Sequence, residues 1–290
     1  MSVTAIDDAA RREYWRSQLE LAYDFMQQAT NYPVDECGER MVSLTEASAA
    51  AGVDVQFSDR PHALDLPRLY YLREGQIAGF LSAAREMNDR GWVMRVEDGF
   101  RSVRMQKFLA RKPEVFDAIL TALLWETGGR TPDPDFFLHR GMTLVAQTPK
   151  VGTHTSGSAI DISVRHRDRP DTEVDRGGPY LEMSARTPML SPWVSESARQ
   201  NRIQITALMR RNGFVEYPFE FWHYSSGDAY AGMLLKTGKP APYGAIHWSG
   251  PGDHVVTPVL NPCEPLNSPE EIQQEIEASL ARLRQRSSAS

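Results

Sequence analysis

Residues 152–161 read Gly-Thr-His-Thr-Ser-Gly-Ser-Ala-Ile-Asp, and residues 220–223, about sixty positions later, read Glu-Phe-Trp-His. The two segments supply two imidazoles and two carboxylates, on His154, His223, Asp161 and Glu220. Two histidines and one aspartate would give a zinc ion three protein ligands and leave its fourth position to water, as in catalytic zinc sites. Glu220 would then be free to take a proton from that water. The pattern predicts one Zn²⁺ held by His154, Asp161 and His223.

The spacing within each segment sets a geometric condition for such a site. His154 and Asp161 are seven residues apart, so a turn at Gly157 is needed to bring both side chains to one point. Glu220 and His223 are three apart, and a straight strand would place them on opposite faces, so the chain must bend between them. Asp161 also interrupts an apolar strand pattern, Ala-Ile-x-Ile-x-Val, where a charge is costly unless it is paired or coordinated. That cost favours a ligand role for Asp161.

Each histidine also has a plainer interpretation. A histidine beside small residues is more often a hydrogen-bonded core or surface group than a metal ligand. The other histidines lie in polar or turn contexts without a matching carboxylate, and we assign surface or structural roles to His62, His139, His166, His247 and His254. The metal interpretation of His154 and His223 therefore depends on the two segments meeting in space.

The bulk composition excludes several classes of protein. The 290 residues are 41% hydrophobic and 24% charged, and the net charge of −6 offers no basic face for nucleic acid. Cys37 and Cys263 lie far apart and outside any Cys-x-x-Cys spacing, which excludes a cysteine zinc knuckle and disfavours a disulfide scaffold. Residues 1–16 lack the apolar run of a secretory signal, and no stretch reaches the roughly eighteen apolar residues of a membrane span. These features favour a cytoplasmic enzyme of undefined oligomeric state.

Hydrophobic periodicity outlines the elements around the predicted site. It predicts helices over about 7–29, 43–51, 77–87 and 198–212, one after Arg101 that Pro113 interrupts, and one after Pro269 with a single apolar stripe that docks on the rest. It predicts strands near 53–57, 92–98, 144–146, 160–164 and 214–217. We divide the chain into an N-terminal helical extension packed on the core (1–70), a core domain with the zinc site (71–245), and a C-terminal loop and helix (246–290).

Four motifs follow one another in a fixed order. His154-x-x-Gly157-x-Ala159-x-Asp161 and then Glu220-x-Trp222-His223 resemble the zinc signature of the D-alanyl-D-alanine dipeptidase family, the VanX-like branch of the M15 metallopeptidases. Asp98-Gly99-Phe100-Arg101 is similar to that family's Asp-Gly-Tyr-Arg segment, and Asn201-Arg202, Met209 and Gly213-Phe214 resemble the helix and strand before its Glu-x-Trp-His. The match runs from about 75 to 225, roughly half the chain. The resemblance implies an α+β fold of the hedgehog and D,D-peptidase kind, a central antiparallel sheet flanked by helices.

The resemblance also implies a role for each matching residue. His154, Asp161 and His223 would hold one zinc ion, and Glu220 would act as general base and then as general acid. Arg101 would stabilise the negative charge that develops on the substrate's carbonyl oxygen. A salt bridge with Asp98 or Glu97 is the structural alternative for Arg101. The implied reaction is zinc-dependent hydrolysis of a short D-amino-acid peptide such as D-Ala-D-Ala.

Two departures from the family pattern concern the substrate. Gly152 stands where the family usually has Ser, and Tyr180-Leu181-Glu182 stands where it usually has a Phe-Asp pair whose aspartate receives the substrate's amino group. Leu181 cannot pair with an amine, so we assign substrate binding to Tyr180 and Glu182. Two alternatives stay open. One is a zinc carboxypeptidase or endopeptidase acting on peptidoglycan-derived peptides or another small amide, and the other is a non-catalytic peptide-binding relative that docks through its C-terminal helix.

Overall fold

The computed structural model describes residues 3–289, apart from a few side chains near the two ends and that of residue 65. The helices are α1 (Val3–Asn31), α2 (Leu44–Ala51), α3 (Ile77–Asp89), α4 (Val103–Leu109), α5 (Pro113–Glu126), α6 (Pro134–Gly141), α7 (Glu196–Arg211), α8 (Ala229–Leu234) and α9 (Pro269–Ala289). The strands are β1 (Met41–Ser43), β2 (Val55–Phe57), β3 (Tyr71–Arg73), β4 (Trp92–Asp98), β5 (Ala159–His166), β6 (Val215–Glu216), β7 (His223–Ser225), β8 (Ile246–His247) and β9 (Thr257–Pro258).

A five-stranded sheet in the order β2-β4-β5-β7-β6 forms the centre of the fold. The pairs from β4 to β6 are antiparallel, whereas β2 runs parallel to β4. The chain between β2 and β4 includes α3, and a parallel pair needs a crossover connection of this kind. The predicted α+β class, a central sheet flanked by helices, is confirmed, with a parallel edge strand added to the antiparallel core.

One face of the sheet packs against α3 and α7. Along β5, Ile160, Ile162 and Val164 are fully buried in the same cluster as Phe80 of α3 and Leu208 of α7. Successive residues of a strand point to opposite faces. The alternate residues of β5, which include Asp161, therefore face the other side of the sheet.

A second core lies under the N-terminal and C-terminal helices. It joins Trp15 of α1, Phe116 of α5, Phe137 of α6 and Ile276 of α9, all almost fully buried. The predicted apolar stripe of the last helix thus docks, with Ile276 packed in this cluster. None of the helices described between residues 3 and 289 combines the length and apolarity that a membrane span needs.

Some element predictions were wrong or incomplete. The strand predicted at 144–146 is a series of turns, because the amides of Leu144 and Val145 bond to Gly141 O and prolong the end of α6. The helix expected after Arg101 is two helices, and Pro113 begins the second. Helix α6 was missed, although Asp133 caps it by accepting a hydrogen bond from Phe136 N at 2.8 Å.

The chain on either side of the predicted core domain contributes strands as well as helices. Strand β2 lies within residues 1–70 and forms an edge of the central sheet. The β8–β9 hairpin lies within 246–290, and Ile246 packs with Phe100 beside the site. The division at residues 70 and 245 stays a prediction.

Candidate metal centre and active-site cleft

Asp161 is the residue around which the site is assembled. It lies on β5, opposite His223 of β7 and opposite Asp98 of β4. The pairing of β4 with β5 shifts between Val96 and Asp98, and a bulge of this kind re-aims the side chains of the strand. Strand pairing alone therefore brings an imidazole and two carboxylates to one side of the sheet.

His154 reaches Asp161 from a single turn of 3₁₀ helix, Thr153–Ser156. Gly157 ends that turn with φ +68°, a left-handed conformation that favours glycine, and a Cβ there would lie 2.5 Å from Met41 Cε. The predicted turn at Gly157 is present. His154 Nδ1 is 2.7 Å from Gly99 O, which leaves Nε2 facing Asp161 Oδ1 at 3.2 Å.

His223 completes the group from the opposite side. Its Nδ1 lies 3.0 Å from Asp161 Oδ1, and its Nε2 lies 2.9 Å from Thr153 Oγ1. One ligand atom from each of His154, Asp161 and His223 lies within 4.8 Å of the others. Tetrahedral ligand atoms about 2 Å from a zinc ion lie about 3.3 Å apart, and the distances of 3.2 and 3.0 Å from Asp161 Oδ1 to the two imidazoles are close to that value, so this donor set could hold a metal ion such as zinc. All three side chains are buried.

The electrostatics of Asp161 suit a ligand. Burial on its own would raise the pKa of this carboxyl, but His154, His223 and Arg101 outweigh burial and hold the pKa well below its usual range. Asp161 is therefore ionised at neutral pH. Its Oδ1 faces both imidazoles, and its Oδ2 accepts hydrogen bonds from Arg101 and Tyr180.

Arg101 bridges two carboxylates at the edge of the site. Its Nε donates to Asp98 Oδ2 at 2.8 Å and its Nη2 donates to Asp161 Oδ2 at 3.0 Å. The salt bridge with Asp98 is present, whereas Glu97 pairs with Arg95. Three N–H groups of Arg101 are used, with the third directed at Gln106 Oε1, and a guanidinium has five. Its oxyanion role stays a prediction.

Glu220 lies in the bend that the spacing required. The segment between β6 and β7 turns there, with Glu220 N bonded to Tyr217 O and His223 N bonded to Glu220 O. Glu220 is buried and lines the same cavity as the three candidate ligands. Burial, and then the negative charge of Asp161, raise the pKa of the Glu220 carboxyl well above its usual value. A carboxyl in this state is suited to holding a proton during part of a reaction.

The structure brings Tyr180 to the site but directs Glu182 elsewhere. Tyr180 Oη donates to Asp161 Oδ2 at 2.9 Å. Glu182 forms an ion pair with Arg186 at 2.8 Å and accepts a hydrogen bond from Ser184 Oγ, and it does not line the cavity of the site. Leu181, with φ +66°, lies between them and forms part of the cavity wall.

Two further residues at the site were missed in the sequence. Thr153 contacts His223, and Arg68 lines the cavity beside Arg101. Thr153 is next to His154 in the sequence, so its position beside a predicted ligand could have indicated a place at the site. Arg68 comes from the stretch before residue 70, where periodicity was weak, and no local pattern marked it.

The cavity itself is small and only partly polar. It has a volume of about 70 Å³, and its lining combines the candidate ligands and Glu220 with apolar side chains such as Leu144, Val145 and Trp222. A single water molecule needs about 10–15 Å³ of such space, so the cavity has room for a few waters or a short ligand.

Comparison with known proteins gives a consistent result. Residues 127–238 match the peptidase M15 family model, described as D-ala-D-ala dipeptidase. The D-alanyl-D-alanine dipeptidase of Escherichia coli (strain K12) is 31% identical over 114 residues, which cover 39% of this chain and 52%, about half, of that protein. The enzyme of the same name from Synechocystis is 24% identical over 68% of this chain and 85% of its own length.

Solved structures of peptidases also align with the chain. A mutant of the vancomycin resistance D,D-pentapeptidase VanY in complex with Zn(II) covers 66% of this chain and 89% of its own, with a TM-score of 0.35 and 16% identity. The resemblance first suggested by the motifs is thus confirmed by the sequence comparisons. Residues 127–238, which carry His154, Asp161, Glu220 and His223, are thus similar in sequence to the M15 D-Ala-D-Ala dipeptidase family.

Proposed function

We propose that this chain is a zinc-dependent peptidase that hydrolyses a short D-amino-acid peptide of the D-Ala-D-Ala type. The observation that carries the proposal is the meeting of His154 Nε2, Asp161 Oδ1 and His223 Nδ1 around one point. The relatives with matching sequence are named D-alanyl-D-alanine dipeptidases, which supports the substrate class.

The metal would be held by these three side chains. When bound, a zinc ion supplies an acidified water and polarises the carbonyl of the peptide. The second nitrogen of each imidazole already has a hydrogen-bond partner, Gly99 O for His154 and Thr153 Oγ1 for His223. Outer partners of this kind fix ring orientation and tautomer in metal sites.

The other residues would move a proton and stabilise charge. Glu220 would accept the proton of the attacking water on its carboxylate and then donate it to the nitrogen of the leaving amine. Its raised pKa suits the second step, because the proton must stay on Glu220 until the C–N bond breaks. Arg101 would direct a free N–H at the carbonyl oxygen as negative charge builds there. Apolar side chains around the site would exclude bulk water and strengthen both interactions.

A second candidate is a zinc carboxypeptidase. The part of the cavity wall that Leu181 forms favours it, because leucine has no carboxylate to receive a substrate's amino group. A dipeptidase that requires a free amino group needs a carboxylate to receive it, and Glu182 is already paired with Arg186 outside the cavity. Hydrolysis of D-Ala-D-Ala and of its N-acetyl derivative would separate the two. A strict dipeptidase does not hydrolyse the acetylated peptide, whereas a carboxypeptidase does.

The test of the proposal is zinc-dependent turnover. Protein stripped of metal by a chelator should lose hydrolysis of D-Ala-D-Ala and regain it when about one equivalent of Zn²⁺ is added. Full activity of the metal-free protein would contradict the mechanism. Purified protein that contains no zinc and cleaves no D,D- or L,D-peptide would instead favour the non-catalytic peptide-binding relative.

A further inference from the structure

Arg68 is a second guanidinium in the wall of the cleft, and the reaction proposed above gives it no role. Its side chain is only 9% exposed and lines the same cavity as His154, Asp161 and Glu220. Nε donates to the carbonyl of Arg60 at 2.8 Å, which fixes the guanidinium in place.

The other contact of Arg68 leaves some of its donors unused. Nη1 lies 2.8 Å from Asp98 Oδ2, an ion-pair distance, and it bonds to no further residue in the described part of the chain. Nη2 takes part in neither contact. A guanidinium has five N–H groups, so those of Arg68 that the chain does not use can donate to an acceptor from outside it.

Asp98 cannot neutralise both guanidiniums that face it. Its Oδ2 is 2.8 Å from Arg101 Nε as well as 2.8 Å from Arg68 Nη1, and the imidazole of His62 lies 3.5 Å away. Desolvation lowers the pKa of His62, which favours its neutral form. The single negative charge of Asp98 thus lies beside two fixed positive charges, those of Arg68 and Arg101.

Asp161, the second carboxylate near Arg101, does not balance the remaining positive charge. Asp161 would be a ligand of the metal, so its charge offsets part of the charge of the ion. With a divalent ion bound, the ion and the two arginines carry four positive charges against at most three on Asp98, Asp161 and Glu220. A net positive charge in a buried cleft is unfavourable unless an anion joins it.

We propose that Arg68 is a specificity-determining residue that binds the terminal carboxylate of the substrate. A guanidinium pairs with a carboxylate through two parallel N–H···O bonds, and the charge of the peptide's end would balance the cleft. The inference rests on the proposed function and deepens it. It restricts the substrate to peptides with a free carboxyl end and excludes cleavage inside a longer chain.

Binding of two probes to an inactive protein tests this assignment. The zinc-loaded Glu220→Gln protein would be titrated by calorimetry with D-Ala-D-Ala and with D-alanyl-D-alanine amide, which lacks the terminal charge. We expect the free acid to bind about 10–100-fold tighter, the range for hydrogen bonds to charged groups. Adding the Arg68→Gln substitution should bring the ratio of the affinities for the acid and the amide close to one. Adding Arg68→Lys should give an intermediate ratio. Arg210→Gln, which removes an exposed arginine paired with Glu216, is the matched control and should keep the parent ratio.

Each outcome decides the question. Equal affinity for acid and amide in the protein with Arg68 intact overturns the proposal, whatever happens to the variants. An unchanged ratio in Arg68→Gln protein of normal zinc content also overturns it. If wild-type enzyme fails to cleave D-Ala-D-Ala but the preference for the acid depends on Arg68, the proposed reaction is wrong and the carboxylate site stands.

Discussion

Thr153 Oγ1 lies 2.9 Å from His223 Nε2, while the other ring nitrogen of His223 faces Asp161 Oδ1 at 3.0 Å. A hydroxyl group can donate or accept, so Thr153 can serve either tautomer of the imidazole. Without metal it can donate to Nε2 while Nδ1–H donates to Asp161. When Nδ1 is a ligand, Thr153 accepts from Nε2–H. The contact therefore orients His223 in both states.

Replacing Thr153 by valine should weaken metal binding. Thr153→Val keeps the shape of the side chain and removes the hydroxyl, and loss of such an outer partner typically costs about 10–100-fold in metal affinity. Competition with a chromogenic zinc chelator measures the change. Thr153→Ser keeps the hydroxyl and should bind zinc nearly as well as the wild type. Wild-type affinity in Thr153→Val protein would show that the contact does not orient the ligand.

Glu220 and His154 should separate turnover from metal binding. Glu220→Gln should keep the metal and lower kcat by about 10²–10⁴, the usual contribution of a general base or acid. His154→Ala removes a ligand and should lose the metal as well as activity. Metal analysis and a hydrolysis assay on the same preparations distinguish the two. Loss of zinc in Glu220→Gln protein would assign Glu220 to metal binding and remove its role as the base.

Arg101 forms a salt bridge with Asp98, and we propose that it also stabilises the transition state, so the two roles need to be separated. Arg101→Lys keeps a positive charge near Asp98 and Asp161 but loses the fork of donors. We expect kcat to fall about 10²–10³-fold, as when an oxyanion donor is removed, with zinc content and thermal stability nearly unchanged. A large fall in melting temperature with kcat preserved would instead make Arg101 a purely structural residue.

The parts of the site that could be predicted are those with a strong local reason. Asp161 interrupts an apolar strand, and that strand is found in the middle of the sheet with Ile160 and Ile162 in the core. Gly157 had to turn the chain, and it has a positive φ. In both cases the physical reason is visible in a short stretch of sequence: a charge within an apolar run for Asp161, and a spacing that requires a turn for Gly157.

The remaining site residues depend on tertiary contacts that no local pattern contains. Arg68 enters the cavity because Asp98 and the carbonyl of Arg60 hold it, and both contacts form only in the folded chain. Glu182 has the charge that a substrate amine needs, yet its position in a loop did not fix where the side chain points, and it pairs with Arg186. The stretch 144–146, predicted as a strand, is instead held by bonds from the amides of Leu144 and Val145 to Gly141 O, at the end of a helix that the sequence analysis had missed.

Asp117 makes polar contacts that join α5 to the last helix. This buried carboxylate of α5 accepts hydrogen bonds from Ser279 Oγ at 2.6 Å and from Arg282 Nη2 at 2.7 Å, and Arg286 Nη2 lies 2.9 Å from it. Asp117→Asn should lower the free energy of unfolding by about 1–3 kcal/mol, since it weakens charge-assisted hydrogen bonds. Urea denaturation measures the change.

Comparison of the wild type with Asp117→Asn at different pH values tests whether the charge of Asp117 causes the stabilisation. Burial alone would raise the pKa of Asp117, but the hydrogen bonds from Arg282 and Ser279 outweigh it and lower the pKa. A lowered folded-state pKa gives stabilisation that is full above the unfolded pKa of about 3.9 and is lost as the pH falls through the folded value. The difference in stability between wild type and Asp117→Asn should thus be constant near neutral pH and shrink under acid conditions. Glu277→Gln, which changes an exposed acid on the last helix, α9, should change stability little at any pH. A difference for Asp117→Asn that persists undiminished in acid would mean that packing, and not the charge of Asp117, holds the helix.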